Sequence, residues 1–149
     1  MTEYAVSIRN LQKHFGPVRA VDGVSLDVHP GEVFGFLGPN GAGKTTTIGM
    51  LLGLIHSTNG SIEVLGEPVT PSRTGALDGV GALVGASAAL VPYLTARDNL
   101  RLVAKLHPHV TEERIDEVLA LVKLEEAADR RAGQFSTGMK QRLGLAMAL

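Results

Sequence analysis

The chain has no cysteine, no tryptophan, few other aromatics and almost no net charge, and each shortage closes a class of function. Without cysteine there is no disulfide scaffold, no thiolate nucleophile and no cysteine-based metal site. Fourteen basic against fifteen acidic residues leave a formal charge of −1 over 149 residues. That balance argues against broad electrostatic capture of nucleic acid or of an acidic membrane, so no nucleic-acid partner is expected. The aromatics are Tyr4, Phe15, Phe34, Phe36, Tyr93 and Phe135, too sparse for an RNA-stacking platform. The N-terminus shows no basic region followed by an apolar run, so no secretory signal is expected. The longest uncharged stretch, beginning at Gly79, is diluted by Gly, Ala, Ser and Pro92, too weakly apolar to span a bilayer. A cytoplasmic location is the expectation.

What is present is a hydrophobic fraction of 44% and 18 glycines, 15 of them within residues 1–96. The first figure argues for a folded chain. Short apolar runs separated by glycine predict strands at Tyr4–Ile8, Val24–Val28, Val33–Leu37, Ser61–Leu65 and Val80–Val84. Val24–Val28 alternates like a half-exposed antiparallel strand, whereas Val33–Leu37 is apolar throughout, like a strand covered on both faces. Beyond residue 95 charge replaces glycine and the pattern becomes helical. Thr95 and Asp98 form a capping pair that opens a helix running to about Leu106. A second helix from Glu112 gathers Ile115, Val118, Leu119 and Val122 on one face. A third starts near Ser136 and carries Met139, Leu143 and Met147 at fourfold spacing.

Gly38-Pro39-Asn40-Gly41-Ala42-Gly43-Lys44-Thr45 satisfies the pattern G-x-x-x-x-G-K-[ST] in full. An apolar run precedes it, and a helix-compatible run from Thr46 to Leu52 follows. Glycines let such a loop curl with its amides inward as an anion nest, and the helix adds its positive end. Lys44 can reach the outer phosphates of a nucleoside triphosphate, and the Thr45 hydroxyl can ligate Mg²⁺. The motif says triphosphate and leaves the enzyme open.

Some 90 residues beyond Lys44 lies Phe135-Ser136-Thr137-Gly138-Met139-Lys140-Gln141-Arg142. With the loop, it makes the chain resemble the ATP-binding subunit of an ABC transporter. The family signature, leucine-serine-glycine-glycine-glutamine, is matched at Ser136 and Gly138 and departs at Phe135, Thr137 and Met139. The run GMKQRLGLA is similar to the variant of bacterial export-type subunits, including antibiotic-resistance exporters. The resemblance implies an α/β P-loop NTPase fold (ABC-type ATPase) with N-terminal antiparallel strands and a helical subdomain. It divides the chain at residues 1–95 and 96–149. It implies ATP and Mg²⁺ as ligands, held by Gly38 through Thr46 with Thr45 on the metal. Ser136 and Gly138 would face ATP on a second ATP-binding subunit, a second copy of the same protein. Membrane permease subunits complete the implied set of partners, with the chain peripheral on the inner face of the plasma membrane. Lys13-His14-Phe15-Gly16 resembles the family's A-loop and makes Phe15 the ring that stacks on adenine. Pro92 through Leu100 resembles the segment after the Q-loop, and counting back places Gly85 where the family has Gln or Glu. Gly85 can neither ligate Mg²⁺ nor position water.

The family's Walker B Asp and Glu and its switch histidine follow the signature helix, and none of them occurs before Leu149. The resemblance therefore implies an ABC domain cut after its signature helix, which binds MgATP, does not hydrolyse it alone, and leaves Val33–Leu37 without a neighbouring strand. A non-catalytic module that pairs with an intact ATPase subunit is the alternative. A small P-loop kinase or GTPase would leave Ser136–Met139 unexplained. The five histidines show no metal-binding spacing, and Arg130-Arg131 reads as a solvated pair.

Overall fold

The computed structural model describes residues 3–84, 90–107 and 109–149. The chain divides into two compact units, Met1–Val80 and Gly81–Leu149, each with its own apolar core.

The first unit is an antiparallel sheet with one helix. Strands β1 (Val6–Phe15) and β2 (Val18–Val28) form a hairpin around Gly16-Pro17, and β3 (Asn59–Val64) and β4 (Glu67–Pro68) extend it in the order β2-β1-β3-β4. Ile8 stands opposite Leu26 on one side and Ile62 on the other, so apolar residues meet across three strands. The hairpin has three register shifts, and the sequence shows why the first is needed. Ile8 and Leu11 are three residues apart, and strict alternation would send them to opposite faces. Asn10 takes a positive φ of 45°, the register shifts, and Leu11 returns to the core beside Ile8. The displaced Asn10 amide donates to Ser25 Oγ at 2.8 Å. Helix α1 (Lys44–Leu51) contributes the buried Thr47 and Met50 to this unit.

Two expected strands are absent. Val33–Leu37 makes no ladder, and Val33 and Leu37 are 99% and 91% exposed. An all-apolar strand needs partners on its edges and cover on its faces, and none of the described strands supplies either. Val80–Val84 also lacks a ladder: Val80 instead closes a 3₁₀ turn, Gly75–Gly79, with its amide on the Leu77 carbonyl. The strands expected at residues 4–8, 24–28 and 61–65 are present with shifted bounds: β1 starts at Val6, residues 24–28 end the longer β2, and β3 stops at Val64.

The second unit is helical. Helix α2 (Ala96–Ala104) starts as its sequence predicts: Thr95 Oγ1 accepts from the Asp98 amide at 3.0 Å and donates to Asp98 Oδ2 at 2.8 Å. Asn99, 1% exposed, ties this helix to the preceding segment. Its Oδ1 accepts from the Val91 amide at 2.8 Å, and its Nδ2 donates to the carbonyls of Val91 and Thr95. Residues 92–97 then run against residues 128–133 through backbone bonds such as Ala132 N to Leu94 O, 2.9 Å. Helix α3 (Glu112–Leu121) presents Ile115, Val118 and Leu119 to the core, as the periodicity requires. It ends with Lys123 at φ 57° and the Leu124 amide on the Leu119 carbonyl. Helix α4 (Thr137–Ala146) sets Leu143, wholly buried, into the same core, with Met139 and Met147 half-buried against it. Arg142 on α4 donates to the carbonyls of Val122 and Lys123, satisfying the end of α3.

Asn99→Ala leaves the Val91 amide without its acceptor and takes one of two donors from the carbonyls of Val91 and Thr95. We expect a loss of about 1–3 kcal/mol in this unit and faster amide exchange at Val91, checked by urea unfolding and hydrogen exchange. Acid sensitivity follows from Arg101, whose guanidinium meets Glu112 at 2.7 and 2.9 Å and Asp98 at 3.1 Å. Arg101 holds the Glu112 carboxyl below its ordinary 4.5, and the Thr95 hydroxyl followed by Arg101 holds Asp98 below 3.8. Lowered folded values mean that this contribution is complete at neutral pH and disappears as pH falls through and below the carboxylate range. Arg101→Met is expected to flatten the acid limb of the stability profile, measured by circular dichroism between neutral pH and pH of about 2.

Candidate functional site

The loop between residue 38 and α1 is shaped by one close approach. Gly43, at φ 83°, is the N-cap of α1, and a Cβ there would overlap the carbonyl oxygen of Ala20 on β2. Val21 Cγ2 would lie 3.0 Å from the same Cβ. Strand β2 thus presses on the residue where loop becomes helix and fixes the start of α1. Gly41 also has φ 83° but faces open space. Gly41 sits in a turn closed by the Ala42 amide on the Pro39 carbonyl at 3.2 Å.

The consequence lies in the amides. The first hydrogen bond of α1 runs from Thr47 N to Gly43 O at 2.8 Å. The amides of Gly41, Gly43, Lys44, Thr45 and Thr46 have no acceptor among the described residues. No acidic side chain occupies the first turn of α1 to take them. Unsatisfied donors gathered at a helix N-terminus form an anion site. Lys44 folds back over the loop, its Nζ donating to the Gly38 carbonyl at 2.6 Å and the Pro39 carbonyl at 2.8 Å. A cation held there adds charge to the nest. Gly38, Pro39 and Asn40 are exposed, Thr45 stands exposed on the first turn, and Thr46 is half-buried. Donors with a hydroxyl at the helix start fit a triphosphate and its Mg²⁺ better than any neutral ligand.

Phe15 lies at the end of β1, opposite Val18, with half of its surface exposed. Val18 lies two residues before Ala20, so the ring stands on the hairpin whose second strand touches Gly43. Its other described neighbour is the Lys13 ammonium, 4.8 Å from the ring centroid. The sequence reading gave Lys13 no role. The available signal was its spacing of two from Phe15 on a strand, which shares a face.

Ser136 and Gly138 belong to the second unit. Ser136 is the exposed N-cap of α4, its Oγ accepting from the Met139 amide at 3.3 Å. A Cβ at Gly138 would meet nothing within 4 Å, so this helix start is open. Phe135, in place of the signature leucine, is buried in the core below it, with the Arg130 guanidinium 5.9 Å from its ring. Arg130 therefore sits over an aromatic ring as well as meeting solvent. Gly85, the Q-loop position, lies outside the described residues. Tyr93, in the segment after it, is 73% exposed.

A glycine loop closing on a helix with free amides and a lysine defines a P-loop nucleotide-binding protein. Residues 21–149 match the family described as ABC transporter. Over 144 residues the chain is 44% identical to the bacitracin transport ATP-binding protein BcrA of Bacillus licheniformis, covering 97% of this chain and 47% of that protein. It is 43% identical to the Nod factor export ATP-binding protein I of Burkholderia pseudomallei, covering 100% and 50%. Among solved structures it is similar to the ADP conformation of MJ1267, an ATP-binding cassette of an ABC transporter, with a TM-score of 0.83 at 26% identity over 99% of this chain and 65% of that one. It also shares its fold, at 23% identity and a TM-score of 0.84, with cbiO1 of Clostridium perfringens, part of the transporter complex cbiONQ, covering 99% and 62%. The chain belongs to the ABC transporter family and has the fold of its ATP-binding cassettes. It spans about half the length of the curated relatives it matches.

Gly41→Ala carries only the penalty of its backbone angle, about 1 kcal/mol. Gly43→Ala adds the collision with Ala20 and is expected to cost more, about 2–3 kcal/mol. Thermal unfolding of the two variants by circular dichroism checks the order, and equal losses would contradict it.

Proposed function

We propose that this chain is the nucleotide-binding part of an ABC export subunit and binds MgATP at the Gly38–Thr46 loop. The observation that carries this reading is the set of amides at Gly41 and Gly43 through Thr46, left without acceptors around Lys44. Those donors and the Lys44 ammonium take the outer phosphates. Thr45 would hold Mg²⁺, which would supply neutralisation of the phosphate charge. Phe15 stacks on the base, a contact worth about 1–3 kcal/mol. The relatives named for bacitracin transport and Nod factor export favour export as the direction.

Ser136 and Gly138 are assigned to the nucleotide of a second subunit, where the open start of α4 meets the terminal phosphate. Membrane permease subunits are the partners proposed for the assembled system, and they would hold the chain peripherally at the inner face of the plasma membrane. Residues 1–149 are proposed to bind without turnover. Phosphoryl transfer requires an oriented water beside the metal and charge clamp, and no residue assigned to the loop can act as a base on water.

Lys44→Ala is expected to weaken MgATP binding about ten- to a hundredfold, the value of a charge-assisted contact to phosphate. Isothermal titration calorimetry reads the affinity, and phosphate release on the same samples reads turnover. Unchanged affinity removes the loop assignment. Release by residues 1–149 above the buffer rate removes the binding-only assignment.

A further inference from the structure

The loop is not the only cationic feature on its face of the sheet. Lys13 and Phe15 are two residues apart on β1 and share one face, as the 4.8 Å between ammonium and ring centroid records. Lys13 is also directly opposite Val21 on β2. Directly opposed residues of an antiparallel pair put their side chains on the same face, and Val21 points its Cγ2 at Gly43. The Lys13 side chain therefore starts beside the residue that opens α1 and ends over the Phe15 ring. It connects the phosphate end of the site to the base end.

Its charge is also uncommitted. The ion pairs of this unit join Arg9 to Asp27, Arg19 to Asp22 and Arg73 to Glu67. None uses Lys13, and among the described residues no carboxylate lies within ion-pair distance of its ammonium. Lys44 is bound to the carbonyls of Gly38 and Pro39 at the other end of the loop. A nucleotide with its outer phosphates on the α1 amides and its base on Phe15 must pass its innermost phosphate and ribose across the stretch that Lys13 covers. A flexible stem carrying a point charge suits that phosphate, because it can leave the ring and follow the ligand.

We propose that Lys13 is a second nucleotide-binding cation, which pairs with the phosphate nearest the ribose and so couples base stacking to the phosphate loop. This rests on the nucleotide-binding reading above. The ligand class is a nucleotide carrying a base and at least an α-phosphate. Inorganic pyrophosphate, which the loop alone can hold, lies outside the reach assigned to Lys13.

The test is calorimetric titration of the 149-residue chain and its Lys13→Gln and Lys13→Arg variants with MgATP and with magnesium pyrophosphate. Lys13→Gln is expected to raise the Kd for MgATP about tenfold while leaving pyrophosphate within twofold, and Lys13→Arg is expected to restore most of the loss. Wild-type binding of MgATP with no change in Lys13→Gln overturns the inference and leaves the nucleotide reading intact. An equal loss for both ligands also overturns it, since the charge then acts on the loop as a whole. Failure of the wild-type chain to bind either ligand overturns both readings together.

Discussion

The contact of Ala20 with Gly43 organises the rest of the site. A carbonyl oxygen of β2 occupies the volume that any side chain at Gly43 would fill. The residue is therefore glycine in the left-handed region, and the chain turns sharply into α1. The loop amides then converge with nothing in the protein to bond. Phe15 and Lys13 depend on the same contact at one remove, because β2 sets both the position of Gly43 and the register of β1. A hairpin and a loop distant in sequence are fixed by one steric exclusion.

The second unit solves a different problem by similar means. The start of α4 is open at Ser136 and Gly138, so the stability of this unit comes from elsewhere. Asn99 pins residues 91–95 to α2, Arg142 closes α3, and Leu143 fills the core under the signature helix. Each of these contacts is made away from Ser136 and Gly138. Those two residues keep solvent-facing positions because Phe135 and Leu143 carry the burial on either side of them.

Much of this was legible beforehand for definite reasons. The helix starts at Thr95 and Ser136 are local chemistry, a hydroxyl serving an amide three residues on, and they form as read. The faces of α3 and α4 followed from spacing alone. Val33–Leu37 did not form the strand expected of it, since five apolar residues state a preference and a strand is an agreement between neighbours. Asn99 as a buried hub was illegible too. An asparagine in a helix is normally a surface residue, and only residues 91–95 folding back on α2 give it three partners.

The sequence alone determined the loop, its lysine and hydroxyl, and the caps, because these depend on residue types at short fixed spacing. Tertiary structure decided which donors stay free, that Gly43 and not Gly41 is sterically compelled, and that Lys13 stands opposite Val21. Those outcomes depend on strand register, which is set by Ile8 and Leu11 reaching one core across a bulge. Register is a relation between segments, and no single segment contains it.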